Sequence, residues 1–317
     1  MPEGPGRGCP IAYHYGARSL AVPATLHVDT LWVAGGLYGN PEALERLLEL
    51  YADEKGDKAL VFNGDFHWFD VVREDFLRVN DSVLAHPATR GNVETELALP
   101  GPGAGCGCGY PAWVGDAEVA RSNRIIERLR ATAALEPRTL RALAALPMHL
   151  VAEVGGERVA VVHGDADSLA GWSFSQETLA TEEGLRAARA AFVQAHVRVF
   201  ASSHTCLPVL QAIGEAAIVN NGAAGMPNFR GTRFGLATRI SVRPRPSALY
   251  AMRAGKLEVE ARPIHYDHTA WCARFLASWP EGSDAHASYF SRILNGPNYQ
   301  QAVALRADPA AATRQAA

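Results

Sequence analysis

Nowhere in this 317-residue chain do the roughly 18 consecutive apolar positions needed for a membrane-spanning helix occur. Its opening, MPEGPGRGCPIAYHYG, also lacks the apolar stretch of a secretory leader. A cytoplasmic location without a membrane partner is the expectation. Positive charge is not in excess either. The 30 Lys and Arg stand against 33 Asp and Glu, for a net charge of −3. The pI is near 6.4, and the arginines are scattered, so no basic field is on offer to nucleic acid. Cysteine is scarce and odd in number, five in all, which argues against a disulfide framework and for reduced thiols. No segment repeats at a fixed period.

What is present reads as a globular α/β protein with a sizeable core, 48% hydrophobic and 20% charged. Leu31-Trp32-Val33-Ala34 is a short buried strand ending in Gly35-Gly36. Asn40-Pro41-Glu42 opens a helix, with Asn as cap and Pro at the first helical position. Its apolar stripe is Leu44, Leu47, Leu48 and Tyr51. Ala59-Leu60-Val61-Phe62 is a second strand, breaking at Asn63-Gly64-Asp65, and a helix over about 73–80 follows. This alternation implies a parallel sheet. The run PGPGAGCGCGYP between Pro100 and Pro111 can only be a loop. Helices are expected over about 116–135 and 137–145. Strands then dominate: HLVAEV and RVAVVHG joined by Gly155-Gly156, VRVFASSHT after a helix near 181–196, and PVLQAIG paired with AAIVNNG. ATRISV and ALYAMRAGKLEVEARPI complete the second half. The expected organisation is an N-terminal arm (1–28), one domain (29–265) with a Gly/Cys-rich insertion near 100–112, and a helical extension with a polar tail (266–317).

Four chemistry-bearing residues fall at the carboxyl ends of separate strands: Asp65, Asn92, His163 and His204. Open α/β sheets build their sites at that edge. One carboxylate, one amide and two imidazoles suit a divalent ion such as Zn, Mn or Fe. A single His after a strand is more often a hydrogen-bonded core residue, but four at matching positions reverse that balance. Asp65 buried without a cation opposite it would be costly.

The ordered motifs Gly64-Asp65, Gly91-Asn92-Val93-Glu94, His163-Gly164, Ser203-His204-Thr205 and the run Asn220–Pro227 resemble the calcineurin-like metallophosphoesterases over about residues 30–262. The resemblance implies a four-layer α-β-β-α sandwich of two mixed sheets flanked by helices. It implies one complete metal site from Asp65, Asn92, His163 and His204. A second ion is left open, because Gly36-Leu37-Tyr38 replaces that family's Asp-x-His and Cys206 stands where its last His ligand belongs. Val93 replaces the His that helps many members protonate the leaving group.

Cys206 is accordingly a candidate thiolate ligand or a small buried hydrophobe. Cys106 and Cys108 either belong to a bland loop or fold over the site as ligands. Tyr38 is a core ring or a phenolate ligand. His67 and Asp70 are candidates for metal or substrate contact, or for solvated surface. Arg90 is a candidate phosphate clamp, Asp165 a candidate catalytic base, and Glu94 a support for Asn92 or a nearby His. Cys9, Cys272, His14 and His265 have no spacing that lifts them above packing. Two functions remain: hydrolysis of a phosphomonoester or phosphodiester by metal-activated water, or a non-hydrolytic metal-binding descendant with a thiolate-modified site for redox or sensing. The expected partner is a small-molecule phosphoester; the oligomeric state is open.

Overall fold

In the computed structural model, which describes residues 4–310, the strand–helix alternation of the first half is borne out. The chain runs through β1 (Leu26–Val28), β2 (Thr30–Ala34), α1 (Pro41–Ala52), β3 (Lys58–Asn63), α2 (Arg73–Leu84) and β4 (Ala88–Thr89). Three helices follow: α3 (Asn92–Ala98), α4 (Asp116–Ala133) and α5 (Pro137–Ala145). The second half holds β5 (His149–Val154), β6 (Glu157–Val162), α6 (Glu182–Ala195), β7 (Val199–Ser202), β8 (Val209–Ile213) and β9 (Ala216–Asn220). The chain closes with β10 (Gly235–Ser241), β11 (Tyr250–Ala254), β12 (Leu257–Ile264), α7 (His268–Ser278), α8 (Ser291–Asn295) and β13 (Leu305–Arg306). Asn40 caps α1 as its sequence implies, accepting from Ala43 N at 3.0 Å and donating to Gly225 O at 2.9 Å. Such a cap contributes about 1 kcal/mol.

The strands form two mixed sheets, one ordered β11-β12-β10-β2-β3-β4 and the other β1-β5-β6-β7-β9-β8-β13. In the first, β2, β3 and β4 are parallel and β10 runs against β2. In the second, β6, β7 and β9 are parallel. Period-two alternation decides which layer each residue joins. Leu31, Val33 and Val61 pack between the sheets with Val159, Val161, Val199 and Ala201. Their neighbours Trp32, Leu60 and Phe62 face the other way, into a layer with Leu44 and Leu47 of α1, Phe76 of α2 and Ile125 of α4. Ala160, Val162 and Phe200 face Ala188 and Ala191 of α6 on the opposite side. The result is the four-layer α-β-β-α sandwich. Each fully buried large side chain contributes about 1.5–3 kcal/mol.

The first and last described segments are woven into this frame. From the N-terminal stretch, β1 adds an edge strand beside β5. Gly6 pairs through its backbone with Ala104 and Tyr110, and Arg7 donates to Pro111 O and Val114 O, so the arm clamps the Gly/Cys loop. At the other end β13 extends the second sheet, and α7 packs Trp271 and Phe275 into the helical core. Of the tail expected to fray, residues 311–317 lie outside the described residues.

Candidate metal centre

The carboxyl ends of β3, β4, β6 and β7 meet at one edge, and close backbone approach makes the meeting possible. Gly64 adopts φ +71°, and a Cβ there would lie 2.4 Å from Gly91 N and 2.6 Å from His163 Nδ1. A Cβ on Gly91 would lie 2.3 Å from Asp65 Oδ1. Side chains at either position would push the strand ends apart. Asn63, the last residue of β3, ties the two sheets together: its Nδ2 donates to Val162 O at 2.8 Å, and its Oδ1 accepts from Thr89.

Asp65, His163 and His204 form the one group of His, Cys and acidic side chains among the described residues whose ligand atoms converge, all within 4.8 Å of one another. Asn92 joins them, its Oδ1 3.2 Å from His163 Nε2. His163, His204 and Asn92 are each aimed by their second polar atom. His163 Nδ1 donates to Asn63 O at 2.8 Å, which leaves Nε2 as the free lone pair. His204 Nε2 donates to Cys108 O at 2.8 Å, which leaves Nδ1 free, 3.2 Å from His163 Nε2. Asn92 Nδ2 donates to Cys106 O at 2.9 Å, turning its carbonyl oxygen inward. Asp65 Oδ2 lies 3.3 Å from His163 Nε2. Four acceptors thus face one another with their donor atoms spent elsewhere, and only a shared proton or a cation satisfies them. Imidazoles fixed through the far nitrogen to carbonyls are the arrangement that metal-binding histidines use.

The electrostatics couple the same three side chains. Burial holds His204 down, to about 4, with His163 adding to the effect, so it is neutral at physiological pH. Burial also opposes charge on His163, but Asp65 outweighs it and raises its pKa. Asp65 itself is lowered: His163 and His204 overcome the cost of burial. Asp65 also sits at φ +51°, a conformation uncommon outside glycine. Glu94 stabilises it: its carboxylate accepts from the backbone N–H of Asp65, Phe66, His67 and Gly91 at 2.8–3.3 Å. Glu94 therefore shapes the loop after β3 rather than orienting Asn92.

Tyr38 and Cys206, beside this group, are bonded to each other. Tyr38 folds back over Gly36, whose Cβ would lie 2.8 Å from the ring. Its hydroxyl meets Cys206 Sγ at 2.5 Å. Burial pushes both the phenol and the thiol up, so both stay protonated. Cys206, expected as a ligand, is instead the partner of Tyr38.

Other expected roles also give way to packing. Asp165, expected as a base, has its carboxylate occupied by the backbone N–H groups of Asp167, Ser168 and Ser173 at 2.9–3.0 Å. It organises the loop after His163. Arg90, expected as a phosphate clamp, donates instead to Ala144 O and Leu146 O at the end of α5. His67 and Asp70 bond each other at 2.6 Å, fully buried, with the imidazole stacked 4.1 Å from Phe76. They belong to the core, not to the rim or the ion.

Cys106 and Cys108 are joined in a disulfide, so the expectation of reduced thiols and of thiolate ligands is corrected at this pair. Their backbone carbonyls do reach the site, through Asn92 and His204. Reduction of the bond is expected to free the Cys-Gly-Cys turn and blur both ligand orientations. A loss of metal affinity of roughly 10–100-fold is expected, the effect of removing an outer support. Chelator competition on oxidised and reduced protein measures it; equal affinities would mean that the loop holds its shape without the bond.

Above the ligands lies a cleft of about 290 Å³ lined by Trp68, Val93, Tyr110, Trp172, Tyr289 and Arg292 among others. Arg292, from α8, was not singled out in the sequence. Nothing near it in the chain marks it, because its place depends on how the last 50 residues dock. No helix in the described residues is long and apolar enough to cross a membrane.

No family model and no curated protein matches this chain. Among solved structures, a hypothetical protein from Pyrococcus horikoshii OT3 superposes with a TM-score of 0.57 at 15% identity, over 85% of this chain and 99% of that one. A metallophosphoesterase from Sphaerobacter thermophilus superposes with a TM-score of 0.55 at 16% identity, over 85% of this chain and 100% of that one. The fold is that of the calcineurin-like metallophosphoesterases.

Proposed function

We propose that this protein is a metal-dependent phosphoesterase working with one divalent ion, held by Asp65, Asn92, His163 and His204. The observation that carries the reading is the convergence of four acceptor atoms whose tautomers and amide orientation are already set by carbonyls. The donor set suits Zn, Mn or Fe. A divalent ion there would polarise a phosphoryl oxygen and acidify water. The chain's own residues do the remainder. Asn63 and the carbonyls of residues 106 and 108 hold the ligands against rotation, which keeps reorganisation small when charge develops. Trp68, Trp172 and Val93 line the cleft with apolar surface and thin the water around it. Val93 has no ionisable proton to give, so the leaving alcohol takes its proton from solvent, and esters of acidic alcohols should react fastest. The alternative of a centre with thiolate ligands is less favoured, since Cys106 and Cys108 are bonded to each other and Cys206 meets Tyr38.

The test is metal content with turnover. The purified protein should bind about one ion per chain and, loaded with Mn, hydrolyse bis(p-nitrophenyl) phosphate in a reaction that a chelator stops and added Mn restores. One tightly bound ion without turnover of this ester or of p-nitrophenyl phosphate would sink the hydrolytic reading.

A further inference from the structure

The cleft over the ion site has aromatic walls and a single cationic side chain, and the two features together describe a substrate. Trp172 begins the wall, its ring edge-on to His204 with centroids 5.6 Å apart. A bond from its Nε1 to Cys108 O at 3.1 Å fixes the indole. Tyr110 packs beside it at 6.1 Å, and Trp68 and Tyr289 line the same space. Arg292 stands at this wall, with Nε donating to Pro227 O at 3.1 Å and Nη2 to Cys206 O at 2.8 Å. A guanidinium has five N–H groups, so three remain unused. Both partners are neutral carbonyls, and no carboxylate pairs with Arg292 among the described residues. Its orientation is fixed while its charge is left uncompensated, and the Cys206 carbonyl that holds it lies two residues after His204. The other charged side chains of the cleft besides Asp65 are Glu118 and Glu177, both exposed.

Resting on the phosphoesterase reading, we infer that the cleft takes a phosphoester whose alcohol half is a planar aromatic group. Arg292 grips the phosphoryl oxygens through its free N–H groups, and Trp172, Tyr110 and Tyr289 hold the ring by stacking and edge contacts. Glu118 and Glu177 repel further negative charge at the open end. The substrate therefore carries a single phosphate and a neutral aromatic end rather than a polyphosphate tail.

Two phosphonates that resist hydrolysis test this by binding alone. Calorimetry on the Mn-loaded protein should show phenylphosphonate binding at least about tenfold more tightly than ethylphosphonate. Arg292→Leu should weaken both by about tenfold, since the lost contact is to the shared anion. Tyr289→Leu should weaken only the phenyl compound. Phenylphosphonate should also quench tryptophan emission in the unmodified protein and not in Trp172→Phe, a readout that does not depend on the stability of the leucine variants. Equal affinity for the two probes, or unchanged affinity in Arg292→Leu, would overturn the inference even if the protein hydrolyses phosphoesters. An intact aromatic preference without turnover would overturn only the hydrolytic reading.

Discussion

Asp65→Ala and His204→Ala are each expected to lower affinity for a divalent ion by a factor on the order of 100 or more. Loss of an outer support alone costs roughly 10–100-fold, and these two side chains supply donor atoms directly. Asp65 is the one carboxylate in the converging group, so its removal also takes away the negative charge that opposes the ion. His204 is neutral as it stands, held down by burial, and needs no deprotonation before it binds. Its loss removes a donor without altering the charge. The two variants should therefore differ in kind: added salt should change the wild-type-to-variant ratio more for Asp65→Ala than for His204→Ala. Metal per chain after gel filtration gives the first measure. The second is thermal stability with added Mn, because an ion that binds only the folded state stabilises it by about 2.7 kcal/mol at a concentration of 100 times Kd. Wild type should gain in melting temperature on adding Mn, and both variants should gain little. Unchanged metal content in both would remove the ligand assignment and leave a hydrogen-bonded core cluster in its place.

That Asp65, Asn92, His163 and His204 come together was legible because each follows an apolar run at a strand's carboxyl end, where side chains of an open sheet converge. The helix over 41–52 was legible through its Asn cap, its proline at the first position and its apolar spacing, and the one expected over about 116–135 runs over 116–133. What could not be read was anything decided by backbone groups or by docking of distant segments. The carbonyls of Cys106 and Cys108 hold Asn92 and His204, yet a carbonyl belongs to every residue and leaves no mark in a sequence. The Cys-Gly-Cys spacing drew attention to thiols when the turn's useful atoms were oxygens. Arg292 lies 88 positions after His204 and reaches the cleft only because the C-terminal stretch packs back on the helical layer. Asp165 misled for a local reason. It follows His163-Gly164 directly, but Asp-x-Asp-Ser is also a turn in which the first carboxylate accepts the next backbone N–H groups. Arg90 misled in the same way: it stands beside Gly91 in the chain and turns outward to cap α5.

Away from the site, the largest effect on stability is expected at Arg239. This residue of β10 is 3% exposed and donates to both oxygens of Glu54, at 2.8 and 3.1 Å, and to Glu260 at 3.1 Å. Glu54 also accepts from Trp32 Nε1 at 3.0 Å and from Arg245 at 3.1 Å, so the cluster joins β2, β10, β12 and the turn after α1. Arg239→Ala removes the partner that two buried carboxylates share, leaving Glu54 with Trp32 and Arg245 and Glu260 with Arg262, and should cost about 3 kcal/mol, the low end of the range for removing one partner of a buried pair. Urea denaturation at pH 7 measures it, and a loss below about 1 kcal/mol would mean that water or Arg245 takes over the charge. Glu54 adds a pH signature. Burial alone would raise its pKa, but the bonds from Arg239 and Trp32 prevail and hold it at about 2, against an ordinary value of 4.5. A carboxyl lowered on folding stabilises the protein above its unfolded pKa, and that contribution is lost as pH falls through the folded value. Wild type should therefore lose stability relative to Glu54→Gln between about pH 4.5 and pH 2, and the two curves should run parallel above pH 6. Parallel curves over the whole range would mean that the Arg239–Glu54 contact does not hold the carboxylate ionised.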